Sequence, residues 1–310
     1  GNFLGSFNGL LDEVAVFNHG LSTTEVQDYM DSGLTGNENG LVGYWNFNEG
    51  TGTTLTDQTS NDNDGTISGA TWSTDVPVSQ TYVPDDNFEQ ALIDLGYDDT
   101  LDDYVLTENI SGVTSLNVSQ KAISDLTGIE AFTALETLYG SWNELTSLDV
   151  SSNTALTSLD LGANQLTSLD VSSNTALTQL GCGSNQLTSL DVSSNTALTS
   201  LDCPNNQLTT LDVSNNTVLT NLTVNNCNLS SLDVSANTAL TNLSCSSNQL
   251  TTLDVNNNTA LTSLSCWGNQ LDSLDVSANT VLTDLFCYDN ELTSLDVSSN
   301  TALTNLQCGW

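Results

Sequence analysis

The sequence predicts a mainly β repeat solenoid, a stack of 21-residue coils over residues 124–310, and three observations carry that expectation. The unit LTSLDVSSNTALTSLDLGANQ (Leu145 to Gln165) recurs with few changes until Trp310 cuts the eighth copy short. Apolar residues hold fixed places in it, the first, fourth, sixth, twelfth, fifteenth and seventeenth, as in Leu166, Leu169, Val171, Leu177, Leu180 and Cys182. An asparagine closes each half, in one column from Asn153 to Asn300 and in a second that includes Asn164, Asn185, Asn206, Asn248, Asn269 and Asn290. A single coil cannot bury its own apolar face, so the core must be a stack.

Both halves of the unit read LxxLx[VLC]xxN. The alternation across L-x-V and L-x-C places apolar side chains on one face, as a short strand does. Each coil is therefore expected to carry two short strands, each parallel to its counterpart in the next coil. The asparagines suit buried turns, because an amide offers two donors and an acceptor to backbone groups that must be paired. Six of the seven cysteines (Cys182, Cys203, Cys245, Cys266, Cys287 and Cys308) share one inward column. Parallel side chains about 4.8 Å apart hold their β-carbons beyond the usual reach of a disulfide, so these read as small buried hydrophobes.

The segment Leu156 to Leu166 (LTSLDLGANQL) matches LxxLxLxxNxL at every position. On these residues about 180 positions of the chain resemble bacterial leucine-rich repeat proteins, of the nested kind in which both halves follow the pattern. That resemblance implies a surface that binds proteins or glycans, an extracellular or cell-surface location, and no catalytic residues. Cys227 departs from the pattern by standing in an asparagine column, while Val224 takes the place that cysteine holds in neighbouring coils.

Residues 81–123 read as a helical cap. Phe88, Ala91, Leu92 and Leu95 have helical spacing, acidic residues follow Pro84, and Gly96 supplies a stop. Such a helix would cover the open end of the first coil, and internalin-like repeat domains begin in a similar way. Asp98, Asp99, Asp102 and Asp103 lack the spacing of an EF-hand and read as a solvated acidic turn.

The first 80 residues lack the 21-residue period. NGLLDEVAVFNHGLSTTEVQDYM (Asn8 to Met30) resembles the closing segment of a laminin-G-like, concanavalin-type jelly roll, and GLVGYWNFNEGTGTTLTDQTSNDNDGTISGATW (Gly40 to Trp72) resembles the opening segment of one. Part of an all-β sandwich is thus expected, divided into 1–38 and 39–80. The missing strands would lie upstream, or the opening-like segment would close the preceding domain. The resemblance implies carbohydrate binding and a calcium site at Asp57, Asn61, Asn63 and Asp64, residue types that equally suit a tight turn. His19, in Asn18-His19-Gly20, reads as an exposed loop residue.

Two features of the repeat surface are candidate sites. The fifth column is Asp in every coil: Asp149, Asp170, Asp191, Asp212, Asp233, Asp254, Asp275 and Asp296. These side chains alternate with buried ones, so they point outward about 4.8 Å apart, either as a solvated acidic face or as weak divalent-cation sites. The sixteenth, eighteenth and nineteenth columns vary, and hold Tyr139 and Trp142 near one end and Trp267, Phe286, Tyr288 and Trp310 near the other. Outward aromatics in a polar array are candidates to stack on sugars or anchor a protein.

Thirty-eight acidic residues against one lysine, Lys121, and no arginine give a formal charge of −37. That balance excludes nucleic acid and anionic lipid as partners. No apolar run approaches the roughly 18 residues of a membrane-spanning helix. The chain starts without Met and stops inside a repeat, so it reads as a fragment with any export signal outside it. The reading is a non-enzymatic binding or adhesion protein with no required cofactor. Its alternatives are a carbohydrate-binding accessory region of a larger secreted hydrolase or adhesin, and a passive surface spacer.

Overall fold

The computed structural model describes residues 11–72 and 79–309. The chain divides into two compact units, Gly1–Val78 and Ser79–Trp310.

In the first unit β1 (Val14–Phe17) leads to α1 (Thr23–Ser32), which opens on a capping box between Ser22 and Glu25. β1 pairs antiparallel with β2 (Leu41–Trp45), Val14 opposite Trp45, with a bulge before Phe17. This ladder crosses the expected division at 38/39, so the two segments share one unit. A second ladder joins β3 (Thr54–Leu55) to β4 (Gly65–Thr66). The described strands of this unit make these two separate two-stranded ladders, where the resemblance implied part of a sandwich.

In the second unit the cap begins before residue 81, because β5 (Gln80–Tyr82) pairs antiparallel with β6 (Tyr104–Leu106) around α2 (Asp86–Leu95). Asp85 caps α2, one carboxylate oxygen accepting from the N–H groups of Asn87 and Phe88 at 3.0 Å. Its other oxygen accepts from Ser124 N at 2.9 Å, Ser124 Oγ at 2.8 Å and Asp125 N at 3.1 Å, tying the helix to the first coils. Phe88, Ala91 and Leu92 are buried, with the Phe88 ring 6.4 Å from that of Phe132. Leu95, expected on the same face, is exposed, because it is the last helical residue before the chain turns at left-handed Gly96.

A short helix α3 (Thr107–Ile110) precedes β7 (Ser115–Asn117), and β7 is already a strand of the coil stack. The stack therefore starts ahead of residue 124. β8 (Thr137–Tyr139) follows 22 residues later, a step that hides the first coil from a 21-residue register. Then come β9 (Ser158–Asp160), β10 (Gln179–Gly181), β11 (Ser200–Asp202), β12 (Asn221–Thr223), β13 (Asn242–Ser244), β14 (Ser263–Ser265), β15 (Asp284–Phe286) and β16 (Asn305–Gln307). All ten form one parallel sheet in chain order, with the leucines in register, as Leu180 with Leu159 and Leu201.

Each coil thus carries one strand where the repeat pattern predicted two. The second half of the unit makes the strand. The first half, such as Leu166–Val171, forms no strand and makes a single recurring backbone bond in place of a ladder, from Gln186 N to Leu166 O at 2.8 Å. Its leucine and valine still face the core. What holds it is the asparagine column: Asn195 Nδ2 donates to Val171 O and to Asn174 O of the preceding coil, both at 2.9 Å. A third ladder lies at the strand entrance, where Thr178 Oγ1 donates to Thr157 O at 3.0 Å and Thr199 Oγ1 to Thr178 O at 3.0 Å.

The inward cysteines are free and buried up to Cys287, and Cys308 is half-buried. Burial pushes the Cys245 thiol up to about 12, which keeps it protonated and unreactive at neutral pH.

Candidate functional site

From β7 to β15 each strand sets one buried leucine between two outward residues, so the outer face of the sheet displays two rows, while Leu306 of the last strand β16 is exposed. In β9 these are Ser158 and Asp160, in β15 Asp284 and Phe286. The residues that follow each strand extend this face. The nineteenth position of the coil is left-handed in all eight copies where it is described, including Trp142 (φ 59°), Ala163 (φ 55°), Asn205 (φ 54°) and Asp289 (φ 51°). That turn throws the side chain off the edge of the sheet and explains the 68% exposure of Trp142.

Across the middle coils the polar side chains satisfy one another. Asn242 Nδ2 donates to Asn221 Oδ1 at 2.7 Å, Asn226 Nδ2 to Asn205 Oδ1 at 3.0 Å, and Ser244 Oγ to Asn225 Oδ1 at 2.9 Å. The aromatics interrupt this pattern near both ends. Trp267 and Tyr288, one coil apart in the same column, stack with ring centroids 5.3 Å apart and planes 3° from parallel. Phe286 lies in the adjoining row of β15 and is half-buried like both rings. Tyr139 and Trp142 sit about six coils away, roughly 29 Å along the stack at the usual strand spacing, and form a separate patch. Trp142 lines an open depression of about 620 Å³ with Gln120, Ala122, Asn143, Glu144 and Ala163. Trp310 lies outside the described residues.

Between the patches Asp160 and Asp202 flank Gly181 in one row. Asp160 accepts from Ser141 Oγ at 2.9 Å and from Gly162 N at 3.1 Å. Burial pushes the Asp202 carboxyl up, opposed by Thr223 and reinforced by the charge of Asp160.

The fifth-column aspartates are exposed, and each closes a turn. The Ser151 N–H donates to Asp149 at 2.9 Å, and the same bond recurs down the column to Ser298 on Asp296 at 2.8 Å. Hydrogen bonds from Ser172 hold the Asp170 carboxyl below the usual range, against the raising charges of Asp149 and Asp191. Asp212 and Asp233 border a groove of about 380 Å³. Among the described residues, no three acidic, histidine or cysteine side chains converge as a metal centre.

In the first unit Asp57 is buried and heavily engaged. One oxygen accepts from Tyr44 N and Thr59 N at 3.0 Å, the other from Thr59 Oγ1 and Asn63 N at 2.9 Å. Burial alone would push this carboxyl up, but these four bonds hold it down at about 2. Asn61 and Asn63 both direct their amide N–H groups to Val42 O, at 3.0 and 2.8 Å, and Asp64 accepts from Asp57 N at 3.0 Å. The four residues are thus brought together as a hydrogen-bonded turn, and a cation at Asp57 would have to displace protein donors. His19 is exposed beside Asn18.

Sequence reading missed three features of the stack. Asn143 belongs to the second asparagine column, accepting from Lys121 N and Ile123 N at 3.0 Å, and only the irregular coil before it conceals this. The first column differs from the second in leaving its Oδ1 atoms buried without a partner, from Asn153 to Asn300. The left-handed nineteenth position was legible only as the occasional Asn, Gly or Asp there.

No family model matches the chain. A 73-residue stretch, 24% of the chain, is 40% identical to internalin J of Listeria monocytogenes and takes in 8% of that protein's length. Internalin C2 of the same species superposes with a TM-score of 0.54 at 21% identity, over 76% of this chain and 100% of that one. A leucine-rich repeat protein of Leptospira interrogans superposes with a TM-score of 0.55 at 21% identity, over 65% of this chain and 62% of that one. The second unit has the leucine-rich repeat solenoid fold that these structures share. At these identities the structural likeness is one of fold, and the surface residues are this chain's own. Among the described residues no helix is long and apolar enough to cross a membrane.

Proposed function

We propose that this chain is a non-catalytic, cell-surface or extracellular binding protein that recognises a protein partner through the outer face of its ten-stranded sheet. Trp267, Phe286 and Tyr288 are the primary anchor, and Tyr139 with Trp142 a second one at the other end. The observation that carries this reading is the half-buried Trp267–Tyr288 stack in an otherwise polar, self-satisfied face. Aromatics held rigid by their neighbours lose little entropy when a partner covers them, which is how interface hot spots work.

The stack also favours protein over glycan. Each ring covers one face of the other, so the pair offers edges and one remaining face apiece rather than an open platform for a sugar ring. A charge of −37 selects a partner surface that is basic or neutral. Every coil repeats the same carboxylate, whereas catalysis needs a single arrangement, so the acidic column is a surface and not an active site.

The test is parallel display of the chain on arrays of extracellular protein domains and of glycans. The triple variant Trp267→Ala, Phe286→Ala, Tyr288→Ala is run alongside, with circular dichroism verifying its fold. A protein ligand whose affinity falls at least a hundredfold in the triple variant supports the reading. Retention of that ligand by the variant, or binding confined to glycans, refutes it.

A further inference from the structure

The two aromatic patches are built differently. Trp267 stacks on Tyr288 of the next coil, whereas the neighbours of Trp142 in its own column are Gln120 and Ala163. Ala163 brings only a methyl group beside the indole, which stays exposed. Backbone bonds fix all three residues: Gln120 N donates to Ser141 O at 3.0 Å, Trp142 N to Gly162 O at 2.8 Å and Ala163 N to Gly183 O at 2.8 Å.

The depression beside Trp142 is acidic by exception. Glu144 stands in a column that holds Gln or Asn in the six coils that follow, from Gln165 to Gln270, and turns acidic again at Glu291. A carboxylate thus replaces the usual amide in the coil that carries the open indole. Of the other lining residues, Asn143 is spent on the backbone, accepting from Lys121 N and Ile123 N and donating to Val118 O at 2.9 Å and Gly140 O at 3.1 Å. The groups left to meet a ligand are the indole, the Gln120 amide and the Glu144 carboxylate. Lys121, the one Lys or Arg of the sequence, lies between Gln120 and Ala122 but pairs with Asp94 at 2.9 Å. A second carboxylate lies alongside, because Asp160 accepts from Ser141 Oγ and Gly162 N, the residues just before Trp142 and Ala163.

We propose that this depression takes an arginine side chain of a protein partner, its guanidinium on the indole and its N–H groups on Glu144 and Gln120, an assignment that rests on this face being a protein-binding surface. Tryptophan is the best side-chain platform for a cation. The carboxylate supplies the acceptor that the planar guanidinium fork fits. Arginine is favoured over lysine because it is weakly hydrated and stacks flat on aromatic faces. It is favoured over a sugar because a neutral ring gains nothing from the charges of Glu144 and Asp160.

The test titrates the full chain with tetra-arginine, tetra-lysine, tetra-citrulline, a neutral isostere of arginine, and maltose. Calorimetry reads affinity, and the tryptophan indole N–H resonances read location, that of Trp142 being identified by its loss in Trp142→Ala. This variant suits the local backbone, since Ala163 already holds the same left-handed turn (φ 55°). Glu144→Gln restores the residue usual in its column, and Glu291→Gln removes the same charge at the same place in a distant coil. Tetra-arginine should shift the Trp142 resonance and bind about fourfold more weakly to Trp142→Ala. Its affinity should fall about threefold in Glu144→Gln and hold in Glu291→Gln. Tetra-lysine should bind more weakly than tetra-arginine, and tetra-citrulline should leave the resonance in place. No tetra-arginine binding, or binding that leaves Trp142 unmoved, overturns the proposal. So do equal losses in Glu144→Gln and Glu291→Gln, equal binding of tetra-lysine and tetra-arginine, or a shift produced by maltose and not by tetra-arginine. The wider reading fails separately, if the Trp267, Phe286 and Tyr288 triple variant keeps its protein ligand.

Discussion

The two halves of each coil are near copies in sequence and differ in how their backbones are held. The half around Leu180 pairs as a parallel strand with the coils on either side, and its asparagine is fully used: Asn185 Nδ2 donates to Leu161 O and Cys182 O at 3.0 Å, and its Oδ1 accepts from Leu166 N at 3.0 Å. The half around Leu169 has no ladder, and its asparagine supplies two donors while its own oxygen stays unpaired. Flipping that amide would set an oxygen against two carbonyls, so the observed orientation is the better of two imperfect ones. The same apolar spacing is thus compatible with a hydrogen-bonded strand and with a side-chain-pinned turn. Burial sets which residues face inward, and hydrogen bonding sets which half becomes a strand.

The largest test of that contrast removes one asparagine from each column. Asn185→Leu should cost about 3 kcal/mol, since three bonds are lost and buried backbone groups are stranded. Asn195→Leu should cost about 2 kcal/mol, because it breaks two bonds but also removes an unpaired oxygen. Urea melts of both variants measure the difference, and equal costs would mean that the columns do the same work.

Cys227 is a natural version of this experiment. Its thiol donates to Cys203 O at 3.3 Å, keeping one bond of the column, but it cannot accept from Leu208 N as asparagine would. Cys227→Asn should therefore stabilise the chain by about 1 kcal/mol, readable as a higher urea midpoint with an unchanged slope. Loss of stability would show that the neighbouring coils have repacked around sulfur.

A similar effect is expected at the turn that leaves the strand half. Gly268 is the glycine among the left-handed nineteenth positions, at φ 67°. Gly268→Ala should cost about 1 kcal/mol, backbone strain outweighing the entropy gained in the unfolded chain. A neutral result would mean that the coil imposes this turn without strain.

The smallest expected effect lies in the first unit, which uses a carboxylate where the solenoid uses amides. The Asp57 pKa is depressed to about 2, so its contribution is fully present above the ordinary aspartate range near 4 and is lost as pH falls through about 2. Fluorescence of the chain, followed from pH 5 to pH 1.5, should show a transition in this window that is missing in Asp57→Asn. The comparison sharpens if the solenoid amides keep the repeat unit's circular dichroism constant over the same range.

The coil period, the inward columns, the cap helix and the outward aspartates were all legible from residues 81–310, because each depends on spacing that repeats. The sheet-forming half was not legible, since LTSLDV and LTSLDL carry the same apolar code. Their difference lies in backbone bonds to other coils. The coil that opens with β7 was hidden by its 22-residue step, and Asn143 with it. In the first unit the turn residues at 57–64 were readable, but their engagement with Tyr44 and Val42 was not, because those partners lie 13 to 21 residues away. By itself the sequence determined that this chain is a stacked β solenoid with an acidic outer column and aromatics at its variable positions, since periodic burial leaves no other way to cover its leucines. Only the tertiary structure decided that Trp267 and Tyr288 stack, that Tyr139 and Trp142 form a patch apart from them, and that Trp142 shares a depression with Gln120 and Glu144. Each of these depends on distances between side chains of different coils or elements, which a one-dimensional pattern does not contain.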